Sequence, residues 1–247
     1  MPYVLALDFD GVLSDSLLEA YLITWRISGR IDPTLETGQI KPPALDNIHE
    51  FRRENPGHWQ SFLSMVPFAN RAEDYLVVQK AVHLGHCFST QEEFSSFRNG
   101  VDWKIMEAFH EEFYAERYRL EALDREKWLA LNETFPRVRE ALGVLAKNFE
   151  LSVATSKDAR TVRAVLESYG VAELFESGLV LDKFLGASKK AHLSALKKHF
   201  GCSSFSRISF VDDKVSHLID CQDLGACLYL AAWGYNGAQE IETARTH

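Results

Sequence analysis

The feature that most constrains this chain is a short apolar run ending in acid: Tyr3 to Leu7 is almost wholly apolar and runs straight into Asp8-Phe9-Asp10-Gly11. Alternation of apolar and polar residues would mark a strand with one wet face. A continuous run of this length reads instead as a strand buried on both faces, as in a parallel sheet. Leu151 to Ala154, Ile208 to Val211 and Cys227 to Ala231 have the same character. Between these runs lie amphipathic helical patterns. Val162, Val165, Leu166 and Tyr169 follow i, i+3, i+4, i+7 spacing and precede Gly170, and a second helix is expected over Ala191 to Phe200, before Gly201. Strands and helices alternating in this way imply right-handed crossovers and an α/β fold, a Rossmann-like parallel sheet covered by helices.

The alternation stops after the first strand and resumes near Pro136. Residues 16–134 are rich in Glu, Arg, Phe and Trp and carry helical periodicity with little strand-like alternation. They are expected to form an inserted all-helical domain, leaving residues 1–15 and 135–247 as the α/β core. Within the insertion, Ile105, Phe109, Phe113 and Leu120 are expected to form a core stripe, and Pro42, Pro43, Gly57 and Pro67 to separate helices. Pro136 is expected in the first turn of a helix bearing Val138, Leu142 and Leu145, with Phe135-Pro136 as a hinge. A chain of 247 residues, 46% of them hydrophobic, has enough apolar side chain for such a body.

Charge narrows the partners. The formal net charge of −8 argues against a general affinity for nucleic acid and leaves room for a small anionic substrate held in a local basic site. No apolar run approaches the roughly 20 residues that span a bilayer, so no membrane role is expected. Cys87, Cys202, Cys221 and Cys227 show no CxxC spacing, and the acids of YVLALDFDG interrupt any signal-like stretch. The expected compartment is the reducing cytoplasm.

In an open α/β sheet ligands bind beyond the carboxyl ends of the strands. After the first run, Asp8 and Asp10 stand two residues apart, so that one can attack while the other shuttles a proton. After the second comes Thr155-Ser156-Lys157-Asp158, a hydroxyl pair expected to open a helix whose free N–H groups favour an anion. After the third comes Asp212-Asp213, a costly pair of charges at the end of an apolar run, which a hard cation such as Mg²⁺ would neutralise. Lys189 and Lys190 open the helix upstream, against the dipole's preference for acids there, which suggests a negatively charged partner. The spacing to Leu193 favours Lys189.

DFDGV resembles the DxDx[VT] first motif of haloacid dehalogenase-like phosphatases, and the later segments resemble the other three motifs in order. The likeness covers Met1 to Ser16 and Pro136 to Gly237. DFDGVLSDS and AAWGYN are similar to the subgroup holding phosphoglycolate phosphatases and β-phosphoglucomutases, which inserts a helical cap where the insertion begins here. The resemblance implies that Asp8 attacks phosphorus and that Asp10 protonates the leaving alcohol and then activates water. Thr155, with Ser156 beside it, would bind the phosphoryl group, and Lys189 would steady its charge. It implies Mg²⁺ held by the Asp8 side chain, the Asp10 carbonyl and an acid of the fourth motif. Asp213 fits that role better than Asp212, because it occupies the place of the acid in the family's commoner Gly-Asp version.

The expected function is Mg²⁺-dependent hydrolysis of a small phosphorylated metabolite through a phospho-aspartate on Asp8. A phosphomutase of sugar phosphates would use the same core and is separated from it by phosphate release. A carbon–halogen hydrolase would not need Asp10 and would survive chelation. A catalytically silent binding module would have no use for a nucleophile, an acid and a metal site together.

Overall fold

The computed structural model describes residues 3–36, 40–186 and 188–246. Its strands are β1 (Tyr3–Leu7), β2 (Ser14–Asp15), β3 (Glu133–Thr134), β4 (Phe149–Ala154), β5 (Phe175–Leu181), β6 (Ile208–Asp212) and β7 (Cys227–Leu230). Five of them form one parallel sheet in the order β5-β4-β1-β6-β7, the Rossmann-like α/β arrangement expected from the apolar runs. The strand without an apolar signature is β5, FESGLVL, at one sheet edge; β7, expected from its apolar run to be buried on both faces, lies at the other edge with Cys227 and Tyr229 exposed, because an edge strand has a neighbour on one side alone. β2 and β3 make a separate antiparallel ribbon, Ser14 opposite Thr134 and Asp15 opposite Glu133.

The chain divides into two compact units, Met1–Ser16 with Asn132–His247, and Leu17–Leu131. The second is helical: α1 (Leu17–Ile31), α2 (Ile48–Glu54), α3 (Pro56–Met65), α4 (Asp74–Leu84), α5 (Gln91–Asn99), α6 (Trp103–Leu123) and α7 (Arg125–Leu129). Gly57 does not separate helices as expected. It is the second residue of α3, because Pro56 at the first helical position starts that helix. Phe109, Phe113 and Leu120 of α6 are buried, and Ile105 is half-buried at the edge of the stripe. The unit also buries a charge: Glu19 on α1 accepts from Arg117 Nε at 2.9 Å, Arg117 Nη2 at 3.1 Å and Trp128 Nε1 at 2.7 Å. Among the described residues no helix is long and apolar enough to cross a membrane.

The first unit adds α8 (Val138–Leu145), α9 (Ala159–Ser168), α10 (Lys189–His199), α11 (Val215–Asp220) and α12 (Ala238–Thr246). Pro136 stands outside α8, and Arg137, with φ +65°, makes the turn into it. One face of the sheet presents Val4 and Ala6 of β1 and Ile208 and Phe210 of β6 to Leu193 and Leu196 of α10 and Leu218 of α11. Leu5 and Leu7 alternate to the other face, where Leu142 of α8 lies. Because β1 and its two neighbours are clamped between these layers, the loops at their carboxyl ends start from fixed points.

Removing Arg117 tests the buried charge of the helical unit. Arg117→Met strands the Glu19 carboxylate and should cost about 3–5 kcal/mol, and Glu19→Gln added to it should recover part of that loss. Urea unfolding followed by tryptophan fluorescence reads this directly, since Trp25, Trp59, Trp103 and Trp128 all lie in that unit.

Candidate active site

Strand register brings the candidate residues together. Leu7 of β1 is paired with Val153 of β4 on one side and with Val211 of β6 on the other. The next residues along, Asp8, Ala154-Thr155 and Asp212-Asp213, therefore leave the sheet side by side at its carboxyl edge. Asp8 N still donates to Val211 O at 2.9 Å, and Thr155 N to Leu181 O at 2.9 Å, so both residues are held at backbone level.

Three buried side chains meet at the centre. Lys189 Nζ lies 2.9 Å from Asp8 Oδ1 and 3.2 Å from Asp212 Oδ2, and donates to the Ala154 carbonyl at 2.7 Å. Burial would strip the Lys189 proton, but the carboxylates of Asp212 and Asp8 outweigh it and hold the ammonium charged. Burial pushes the Asp8 carboxyl up, and the like charge of Asp212 adds to that, against the pull of Lys189. Asp212 is held well below the usual carboxylate range: burial opposes this, but Lys189 and His217 prevail. His217 Nδ1 stands 3.0 Å from Asp212 Oδ2, and Lys214 N donates to Asp212 Oδ1 at 2.8 Å.

Asp213 has a different neighbourhood. Its Oδ2 accepts from Tyr235 N at 2.8 Å. Gly11, with φ +84°, and Gly234 press so closely on it that a Cβ on Gly11 would lie 2.3 Å from Asp213 Oδ2. A Cβ on Gly234 would lie 2.3 Å from the Gly11 carbonyl oxygen. Only glycine fits at either position. Burial raises the Asp213 carboxyl from 3.8 to about 7, Asp212 and Asp8 push the same way, and Lys214 offsets only part. The pocket thus contains more carboxylate than its cations compensate, which is the condition a divalent cation would relieve.

At the rim, the Asp10 side chain is one-third exposed, and its Oδ1 accepts from Lys157 Nζ at 2.9 Å and from Ser16 Oγ. Thr155 Oγ1 accepts from Lys157 N at 3.1 Å. Tyr235 Oη accepts from Ser16 N at 2.7 Å, so one residue reaches both the Asp213 carboxylate and the Ser16 backbone.

The sequence matches no protein-family model and no curated protein. Solved structures do resemble it. A haloacid dehalogenase-like family hydrolase from Streptococcus pneumoniae is 13% identical with a TM-score of 0.56, over 98% of this chain and 90% of that one. A predicted phosphoglycolate phosphatase from Haemophilus somnus is 19% identical with a TM-score of 0.56, over 95% and 87%. A predicted phosphatase from Clostridium acetobutylicum is 14% identical with a TM-score of 0.55, over 99% and 91%. The chain has the haloacid dehalogenase-like fold.

Within this fold the sequence-derived candidates occupy one edge of the sheet. Lys189 enters the centre, whereas Lys190, its side chain 41% exposed, pairs with Asp223 at 2.8 Å. The anion expected at the start of α10 consists of the protein's own carboxylates, Asp8 and Asp212. The N-terminus of α9 differs from expectation. The helix starts at Ala159, Asp158 accepts from Thr161 N at 2.9 Å, and Asp182 accepts from Ala159 N at 3.1 Å. Thr155 and Ser156 belong to the loop ahead of the helix, and the protein's own acids already occupy part of its first turn.

Two observations bear on the acid of the fourth motif. Ligand atoms of Asp8, Asp212 and His217 lie within 4.8 Å of one another, and Asp213 is outside that trio. Asp212, however, is already compensated by Lys189 and His217, while burial and the like charges of Asp212 and Asp8 push the Asp213 carboxyl up against the pull of Lys214, so the larger unmet demand for a cation is at Asp213. Lys157, Ser16, His217 and Tyr235 carry no distinctive spacing. The family-like strings DFDGVLSDS and AAWGYN contain Ser16 and Tyr235 without indicating that the two touch.

The raised Asp213 carboxyl has a stability consequence in metal-free protein. The native state keeps a proton that the unfolded chain releases, so this contribution is full below about pH 4 and lost as pH rises through about 7. Melting in chelator from pH 5 to 8 should show a falling Tm, and Asp213→Asn should remove most of the fall. An identical slope in the variant would assign it to other groups.

Proposed function

We propose that the chain is a Mg²⁺-dependent phosphatase of small phosphorylated metabolites that works through a phospho-aspartate on Asp8. The observation that carries this reading is the convergence on one sheet edge of a buried carboxylate, a buried ammonium 2.9 Å from it, a hydroxyl loop and an incompletely compensated acid pair. Phosphoryl transfer asks for that combination, because a phosphate dianion repels an attacking carboxylate unless cations and oriented donors offset its charge.

Asp8 Oδ1 is held by Lys189 Nζ and by Phe9 N at 2.8 Å, which leaves Oδ2 as the attacking oxygen. Asp8, the Asp10 carbonyl and Asp213 would hold the ion, with Asp212 fixing Lys189 beside them. A bound Mg²⁺ there supplies charge neutralisation for the phosphate. As the Asp8 O–P bond forms and the P–O bond to the alcohol breaks, Asp10 gives its proton to the departing oxygen. Asp10 then takes a proton from the water that attacks phosphorus and frees Asp8. Thr155 and Ser156 donate to the phosphoryl oxygens, and Lys189 balances their charge. The overall acidity of the chain is no obstacle to an anionic substrate, because these cations are local.

Release of phosphate from an aryl phosphate by wild type and Asp8→Asn, with Mg²⁺ and with excess chelator, tests the reading. Metal-dependent release by wild type alone is expected, and equal turnover by Asp8→Asn would exclude the covalent route. Asp10→Asn should lower kcat by roughly 100- to 10,000-fold on an alkyl phosphate, and a loss below about threefold would remove it from the acid–base role.

A further inference from the structure

Lys157 is a buried lysine with no part in the chemistry described above. Its side chain is 2% exposed, and its Nζ lies 2.9 Å from Asp10 Oδ1. The ammonium also stands 5.5 Å from the centre of the Phe9 ring, between the two acids of the first motif in sequence. Burying an ammonium is expensive, and its partner here does not require one. The Asp10 carboxylate is 33% exposed and can be solvated by water. What the buried ammonium can add to an acid that water already reaches is a fixed orientation. Lys157 Nζ and Ser16 Oγ both donate to the same oxygen, Oδ1, and Lys157 is itself tied to the hydroxyl loop through its amide on Thr155 Oγ1 at 3.1 Å.

We infer that Lys157 is a positioning residue for Asp10: it fixes Oδ1 and so presents Oδ2 as the atom that gives and receives the proton. This rests on the phosphatase reading. In the first half-reaction the Asp8 O–P bond forms, the electron pair of the breaking P–O bond goes to the leaving oxygen, and that oxygen takes the proton from Asp10 Oδ2. In the second, water oxygen bonds to phosphorus, its proton goes to Asp10 Oδ2, and the electron pair of the acyl-phosphate bond returns to Asp8. The ammonium can donate to Oδ1 whether or not Oδ2 bears a proton, so it orients the group through both halves. A carboxyl free to rotate would still be present but would meet the leaving oxygen in a small fraction of its orientations.

The role has a signature that structural support lacks, because proton donation matters most for poor leaving groups. kcat and KM are measured for wild type and Lys157→Met at saturating Mg²⁺ on p-nitrophenyl phosphate, phenyl phosphate and a simple alkyl phosphate. The variant is expected to lose about ten- to a hundredfold in kcat/KM, which reports the first half-reaction alone, on the alkyl ester and less than about threefold on p-nitrophenyl phosphate. Lys190→Met, at a partly exposed lysine, should match wild type on all three. Equal losses of kcat/KM across the series overturn the inference, because a lost contact to the substrate anion or a loosened fold would act on every ester alike. If Lys157→Met does not fold, Lys157→Gln, which keeps a donor of similar reach, should give a smaller steepening, and none in that variant is equally decisive. Wild type inactive on every ester overturns the phosphatase reading and this inference together, whereas an active wild type with a parallel loss overturns this inference alone.

Discussion

The first unit depends on one ammonium. Neighbouring parallel strands lie about 4.8 Å apart, so acids leaving β1 and β6 at the same level are forced into proximity whatever their side chains prefer. Two unit charges about 4 Å apart repel by roughly 4 kcal/mol at an effective dielectric near 20. Lys189 reaches both Asp8 and Asp212 and turns that repulsion into a bridged pair. To do so it must begin α10 at a defined place, and Leu193 and Leu196 on the same helix fix that place by packing against Val4, Ala6, Ile208 and Phe210. Core packing and site electrostatics are therefore one constraint, because shifting the helix by a turn would bury two uncompensated carboxylates.

The bridge leaves an asymmetry with chemical meaning. Asp212 has an ammonium, an imidazole and a backbone amide around it, and it stays ionised. Its neighbour Asp213 is enclosed by Gly11, Gly234 and the Tyr235 amide, and the charge of Lys214 offsets only part of the effect of its burial. The site divides its two adjacent acids into one surrounded by protein cations and one whose burial is only partly compensated. The close approach of two glycines makes this division possible, since any side chain at either position would displace the Asp213 carboxylate.

Loops far apart in sequence also meet around Asp10. Tyr235 joins the loop after β7 to Ser16, Ser16 joins the segment after β2 to Asp10, and Lys157 joins the loop after β4 to the same carboxylate. Asp10 is thus the rim group on which three loops converge, while Asp8 is the buried group on which the sheet and α10 converge.

How much of this was readable beforehand follows from how local each signal is. The apolar runs at Tyr3 to Leu7, Leu151 to Ala154 and Ile208 to Val211 mark the three central strands, where burial leaves a trace in consecutive residues; the run from Cys227 to Ala231 also forms a strand, but at the sheet edge with Cys227 and Tyr229 exposed, and β5, the other edge strand, carries no such run. Asp8, Asp10, Thr155, Lys189 and the acid pair were legible because each follows a strand or opens a helix. Gly57 and Pro136 were misplaced by a residue or two, since proline and glycine limit backbone angles without saying on which side of the boundary they fall. The sequence alone determined the α/β class and the residue types delivered to the sheet edge, because these follow from periodicity and order along the chain. Only the tertiary structure decided that Lys190 pairs with Asp223 instead of entering the site, that Asp212 is better compensated than Asp213, and that Lys157, Ser16 and Tyr235 gather around Asp10. Those outcomes depend on distances between segments that the chain brings together only by folding, and no local pattern records a distance.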